Sequence, residues 1–84
     1  MDIQAFKEKL EEVHNFPTLY LFKFIVPNDK IGEVKALFPK NEVITKASSS
    51  GKYVSTTIRT MMESADHIIE IYNEARKIEG IISL

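Results

Sequence analysis

An α+β fold is what this 84-residue sequence predicts. Three observations carry the prediction. Tyr53 to Thr60 alternates polar and less polar residues with period two, and Thr18 to Val26 is a short apolar and aromatic run, so both read as strands. Ile31 to Phe38 and Ile68 to Ile78 place apolar residues at helical spacing. Turn-forming clusters separate them, at Pro27-Asn28-Asp29 and Ser48-Ser49-Ser50-Gly51.

The N-terminal stretch comes first. Asp2 is a capping residue, and Ile3, Phe6, Leu10 and Val13 form one helical stripe. Lys7, Glu8, Lys9, Glu11 and Glu12 cover the other faces. Asn15 and Pro17 end this helix, because Pro17 disfavours helical geometry at Phe16. Residues 1–15 thus read as an amphipathic helix appended to a domain of residues 16–84. Its stripe needs a surface to lie on, within the same chain or on a partner.

In Thr18 to Val26, Tyr20, Phe22, Phe24 and Val26 share one face, expected to lie against helices. Leu19, Leu21, Lys23 and Ile25 share the other, expected to be open. Pro27-Asn28-Asp29 turns the chain and offers caps to a helix with Ile31, Val34, Leu37 and Phe38 on one side, ending before Pro39. Asn41 to Ala47 is a short strand. Across the serine turn, Tyr53, Ser55, Thr57 and Arg59 form the polar face of the next strand. Ser64 caps a last helix, with Asp66 suited to its dipole and Ile68, Ile71 or Tyr72, Ala75 and Ile78 on its buried side. Arg76 and Lys77 suit its C-terminal end, and Gly80 stops it. Ile81 to Leu84 reads as a final strand.

After the leading helix the order is strand, helix, strand, strand, helix, strand. That is the split βαβ, ferredoxin-like arrangement: a four-stranded antiparallel sheet with two helices on one face.

Composition bounds the function classes. One small domain of this length buries only about 60–65% of its unfolded surface. With no cysteine there is neither a disulfide framework nor a thiolate metal site. No apolar run is long enough to span a bilayer, and the acidic start, MDIQAFKEKLEE, is not a leader peptide. These features point to a cytoplasmic protein with no membrane partner. A net charge of −1 counts against a nucleic-acid protein, which carries a basic excess.

The residues also carry a family likeness. Phe16-Pro17-Thr18 leads into an aromatic strand with Phe22-Lys23. Then comes Lys46-Ala47-Ser48-Ser49-Ser50-Gly51-Lys52-Tyr53-Val54-Ser55, with Tyr72 in the last helix and Leu84 at the end of the last strand. Together these resemble the YbeD-like family of small bacterial proteins of unknown function. The likeness covers nearly the whole chain after the first helix. It implies a ferredoxin-like domain similar to the ACT regulatory domains, which bind small ligands, often amino acids. Ala47 stands where the family leads one to expect proline, so the turn is less rigid here. Asp29-Lys30-Ile31-Gly32 is a four-position echo of the Asp-x-x-Gly of ACT domains, in which the glycine lets a ligand near the backbone.

Catalysis finds little support. Ser48, Ser49, Ser50 and Ser55 are available nucleophiles, but nothing in the spacing joins them to His14 or His67. Ser50-Gly51-Lys52 is no Walker loop, since the leading glycine is absent and Tyr53 replaces the magnesium-binding hydroxyl. No metal set or cofactor motif is present. The candidate ligand or partner surface is Lys23, Lys46, Ser48, Ser49, Ser50, Gly51, Lys52, Tyr53, Ser55 and Arg59, with Asp29 and Gly32 as an ACT-like turn. Lysines and serine hydroxyls of the turn could hold a small anionic metabolite. Leu19, Leu21 and Ile25 would form an apolar patch suited to a partner protein or a second copy, unless the N-terminal helix covers it. RNA binding on the open sheet, in the manner of RRM domains, is the alternative; Tyr53, Lys23 and Arg59 make a thin platform for it. The expected function is a non-catalytic regulatory or binding module: an ACT-like ligand binder or a protein-interaction adaptor.

Overall fold

Asp2 begins the first helix as its short carboxylate suits it to do: it accepts from the amides of Gln4 and Ala5 at 3.1 and 3.3 Å. In this computed structural model, which describes residues 2–84, helix α1 spans Ile3–Val13. Strand β1 (Thr18–Pro27) follows, then a 3-10 turn (Asn28–Lys30) and helix α2 (Ile31–Leu37). Strands β2 (Val43–Ala47) and β3 (Tyr53–Met62), helix α3 (Ala65–Ala75) and strand β4 (Ile82–Ser83) complete the chain.

The strands form one sheet in the order β2-β3-β1-β4, and every neighbouring pair is antiparallel. This is the ferredoxin-like arrangement, with a further helix at its start. The central pair runs its full length in register, Thr18 opposite Met62 and Pro27 opposite Tyr53.

The face assignment in β1 holds. Phe22, Phe24 and Val26 are fully buried beneath the helices, opposite Ile58, Thr56 and Val54. Val34 of α2 and Ile68 of α3 close over them. Each such side chain contributes about 1.5–3 kcal/mol when fully removed from water. Tyr72 roofs the aromatic centre, its ring 5.3 Å from Phe22 and 5.9 Å from Phe24. Its hydroxyl meets that of Tyr20 at 3.0 Å. Thr56 is the buried polar residue of the core, and its hydroxyl donates to the Phe24 carbonyl at 3.1 Å.

Four details depart from the expectations. Helix α1 does not cover Leu19 and Leu21. It lies against α3 on the helical side, where Phe6 meets Tyr72 edge-on at 5.8 Å, Lys7 pairs with Asp66 at 3.2 Å and Leu10 joins the core. Only Phe6 and Leu10 of the expected stripe find apolar partners there; Ile3 and Val13 stay exposed, as do Leu19 and Leu21 on the uncovered face. Asn28 caps no helix; its side chain donates instead to the Gly51 carbonyl at 3.1 Å. Helix α3 stops at Ala75, short of Ile78, and Arg76 is its C-cap. The turns that follow let Ile78 reach the core. The last strand is reduced to Ile82–Ser83, which pairs β1 only at Phe24 and Ile25, with one further bond from the Leu84 amide to the Lys23 carbonyl at 3.0 Å.

Gly80 does not end α3, which already stops at Ala75; it answers instead to a close approach of Pro27. Its φ is +81°, and a Cβ there would lie 2.8 Å from Cγ of Pro27. No described helix is long and apolar enough to cross a membrane.

Candidate interaction surface

Alternation along a strand sends every second side chain to one side. The residues opposite Phe22 and Phe24 therefore make up the open face. Register sets them in rows. Lys46, Ser55, Ile25 and Ile82 lie side by side across the sheet. Ile44, Thr57 and Lys23 form the next row, then Arg59 with Leu21, then Met61 with Leu19.

The face is more apolar than the sequence reading made it. Leu19, Leu21, Ile44, Met61 and Ile82 are each more than half exposed, Leu19 at 55% and Met61 at 58%. Ile44, Met61 and Ile82 were not in the predicted surface. Counting alternate residues outward from Lys23 and Tyr53, once the register is known, would have found them. Lys46, Lys23 and Arg59 fall in three successive rows, on β2, β1 and β3 respectively. No strand position on the face is a carboxylate, and among the described residues none of the three cations stands within ion-pair distance of one. A chain of net charge −1 thus gathers unpaired positive charge on one apolar surface.

At the hairpin end the serines are spent on architecture. The Ser48 amide donates to the Tyr53 carbonyl at 2.9 Å, and the Gly51 amide to the Ser48 carbonyl at 3.0 Å. Gly51 takes φ +74°, which is why a glycine closes the turn. The Ser48 and Ser50 hydroxyls lie 3.2 Å apart. The Lys52 amide reaches the Ser50 hydroxyl, and the Tyr53 amide the Ser48 hydroxyl, both at a long 3.4 Å. Ser55 points its hydroxyl at the Lys46 carbonyl, also at 3.4 Å. Ser49 and Lys52 are exposed at the tip. A shallow hollow of about 250 Å³ remains beside the turn, walled by Ile25, Lys46, Ser48, Tyr53 and Ser55. The structure therefore brings together Lys46, Ser48, Tyr53 and Ser55, while Lys23 and Arg59 lie further along the open face.

The two turns meet through a residue that sequence reasoning did not single out as a site. Asn28 donates its amide to the Lys52 carbonyl at 2.9 Å and its side chain to Gly51. This staples the start of the Asn28–Lys30 turn to the serine turn. Gly32 nevertheless shows no structural need for glycine: a Cβ there meets nothing within 4 Å, and its φ is ordinary. Asp29 is exposed beside it. Lys30 contacts Glu33 at 3.3 Å, and that hydrogen bond, with the attraction of the two charges, holds the lysine above its usual pKa.

No cluster of His, Asp or Glu among the described residues could hold a metal ion. No buried side-chain polar atom among them is left without a partner.

Comparison with known proteins adds a lineage. A family model described as "Protein of unknown function (DUF493)" matches residues 11–84. A UPF0250 protein of Shewanella putrefaciens is 35% identical, with 87% of this chain and 91% of the relative covered. UPF0250 proteins of Shewanella oneidensis and Shewanella baltica match to the same extent, at 35% identity with the same shares covered. No solved structure matches.

Proposed function

The chain belongs to the DUF493 family, whose function is unknown, and from that premise we propose that it is a non-catalytic adaptor that docks a partner protein on its open sheet face. One observation carries the reading: exposed Leu19, Leu21, Ile44, Met61 and Ile82 surround three unpaired cations on one side of the sheet. A contiguous apolar patch rimmed by charge marks an interaction surface more often than a merely solvated one. Lys23, Lys46 and Arg59 favour a partner that brings carboxylates, and they oppose the stacking of two identical faces. A cysteine-free chain suits the reducing bacterial cytoplasm, where we place this work.

The small-ligand version of the reading centres on the hollow beside Lys46 and Ser48. An anionic metabolite held there would raise the melting temperature.

The test uses the full chain and substitutions on the open face. Leu21→Glu and Arg59→Glu should abolish co-purification of a partner that the unchanged protein and a Glu70→Lys control both retain. Binding of that partner, once purified, should weaken with salt. Retention by all variants would refute the docking face. A salt-sensitive mobility shift of single-stranded RNA, lost in Arg59→Glu and Tyr53→Ala, would replace the adaptor with an RNA-binding reading.

A further inference from the structure

The helical side of the molecule holds a second concavity, away from the open face and independent of the adaptor reading. It opens between α1, α3 and β4 and has a volume of about 250 Å³. The helical repeat of α3 explains it. Ile68 and Ala75 point into the core, and Ile78 follows them beyond the helix end. Ile69, Tyr72, Asn73 and Arg76 form a different stripe, at spacings of three, one and three, which turns toward α1. Phe6 and Ile3 face that stripe across the gap, and Ser83 and Leu84 close one end.

The lining is two chemistries in one place. The floor is apolar, formed by Ile69 with the rings of Phe6 and Tyr72, which meet edge-on at 5.8 Å. The Tyr72 hydroxyl is turned away, engaged with Tyr20 at 3.0 Å, so the ring presents carbon to the cavity. The rim is polar: Asn73 brings an amide and Arg76 a guanidinium. Arg76 is exposed and makes no ion pair with any carboxylate among the described residues. Lys7 and Lys77, on either side of the same helix pair, are both paired, with Asp66 and Glu74.

We propose that this cavity binds a small apolar carboxylate, its hydrocarbon part lying on Phe6, Ile69 and Tyr72 and its carboxylate on Arg76 and Asn73. The volume holds roughly ten to fourteen non-hydrogen atoms at the packing density of a protein interior. That matches a short branched or aryl-substituted acid. The planar guanidinium takes a carboxylate with two parallel hydrogen bonds, and the neighbouring amide donates a third. A neutral amide of the same shape gains only the hydrocarbon burial. An amine of the same shape meets repulsion from Arg76. Selection for the acid therefore follows from charge, and selection for size follows from the walls.

The experiment is a titration of the full-length ¹⁵N-labelled protein with 3-phenylpropionate and 4-methylpentanoate. The corresponding amides and 2-phenylethylamine are the comparators. Saturable shifts are expected at the amides of Ile69, Tyr72, Asn73, Arg76 and Ser83, with a dissociation constant on the order of 1 mM for so small a ligand. Arg76→Gln should weaken the acids about tenfold or more and leave the amides unaffected. Ile3→Trp, at a half-exposed position on the mouth, should block all of them while the thermal melt shows the fold intact. The proposal falls if the acids shift no amide in this group at about 10 mM, or if they bind on the open face instead. It falls equally if Arg76→Gln retains the affinity of the unchanged protein, or if acids and amides bind alike. None of these outcomes bears on partner docking, which Leu21→Glu tests separately.

Discussion

Replacing each of the three glycines by alanine separates three effects that are usually confounded. At Gly80 the added Cβ meets both obstacles at once. The backbone sits at φ +81°, and the new carbon would lie 2.8 Å from Pro27 Cγ and 3.2 Å from its Cδ. The left-handed conformation costs an alanine about 1–2 kcal/mol. Overlap with a proline ring, which cannot swing aside, adds about 1–3 kcal/mol. Against this, alanine restricts the unfolded chain and returns about 0.4–1 kcal/mol. The net loss is about 2–3 kcal/mol. Gly51 shares the conformation, at φ +74°, but a Cβ there enters open space. Its net loss is about 0.5–1 kcal/mol. Gly32 has neither obstacle and lies in α2, so alanine should stabilise by up to about 1 kcal/mol. A domain of this length has a total stability of about 4–13 kcal/mol, so Gly80→Ala consumes a visible share. Urea unfolding followed by circular dichroism reads the series. With a slope near ~1 kcal/mol per molar, Gly80→Ala should lower the midpoint by about 2 M. Equal midpoints for Gly80→Ala and Gly51→Ala would show that the Pro27 approach has no energetic weight, and would sink the reasoning. A destabilised Gly32→Ala would show that the first turn of α2 needs its glycine after all.

Other outcomes follow from single contacts. Burial first, then the hydrogen bond with Tyr20, holds the Tyr72 hydroxyl above its ordinary value of 10.0. The unfolded chain loses this proton first, so the associated stability is complete below about pH 10 and falls as pH rises further. Between about pH 9 and pH 11 the unchanged protein should lose up to ~1 kcal/mol more than Tyr72→Phe, after allowance for the partial exposure of the side chain; parallel urea midpoints would contradict this. Leu10→Ala should cost about 2–4 kcal/mol in the same assay if α1 is part of the folding unit, whereas Leu21→Ser on the open face should cost under ~0.5 kcal/mol. Thr56→Val keeps the shape of the side chain and removes its bond to the Phe24 carbonyl, so a loss of about 1 kcal/mol is expected.

The parts of the fold legible in the sequence are those governed by local rules. Alternation placed Phe22 and Phe24 inward and Lys23 outward, and Asp2 and Ser64 capped the helices they precede. The parts that were not legible depend on distant partners. Nothing local to Ile3, Phe6, Leu10 and Val13 says whether their stripe meets the sheet or α3; Tyr72 and Asp66 decide it from more than fifty residues away. Asn28 has the composition of a capping residue, yet the carbonyl of Gly51 lies closer to hand. The candidate surface divided in the same way. Lys23 and Arg59 were found by parity along single strands, and Lys46 by its place beside the serine turn. The exposed Met61 continues that parity two residues past Arg59, whereas Ile44 and Ile82 joined the face only once register set four strands in rows.

The backbone of the central strands works as a partition. Because neighbouring residues of β1 answer to opposite sides, Leu21 and Lys23 can be exchanged without disturbing Phe22 between them. Relatives that share this core can therefore present quite different outer surfaces to the cell, and lineages are free to retune what they hold while the layer beneath stays fixed.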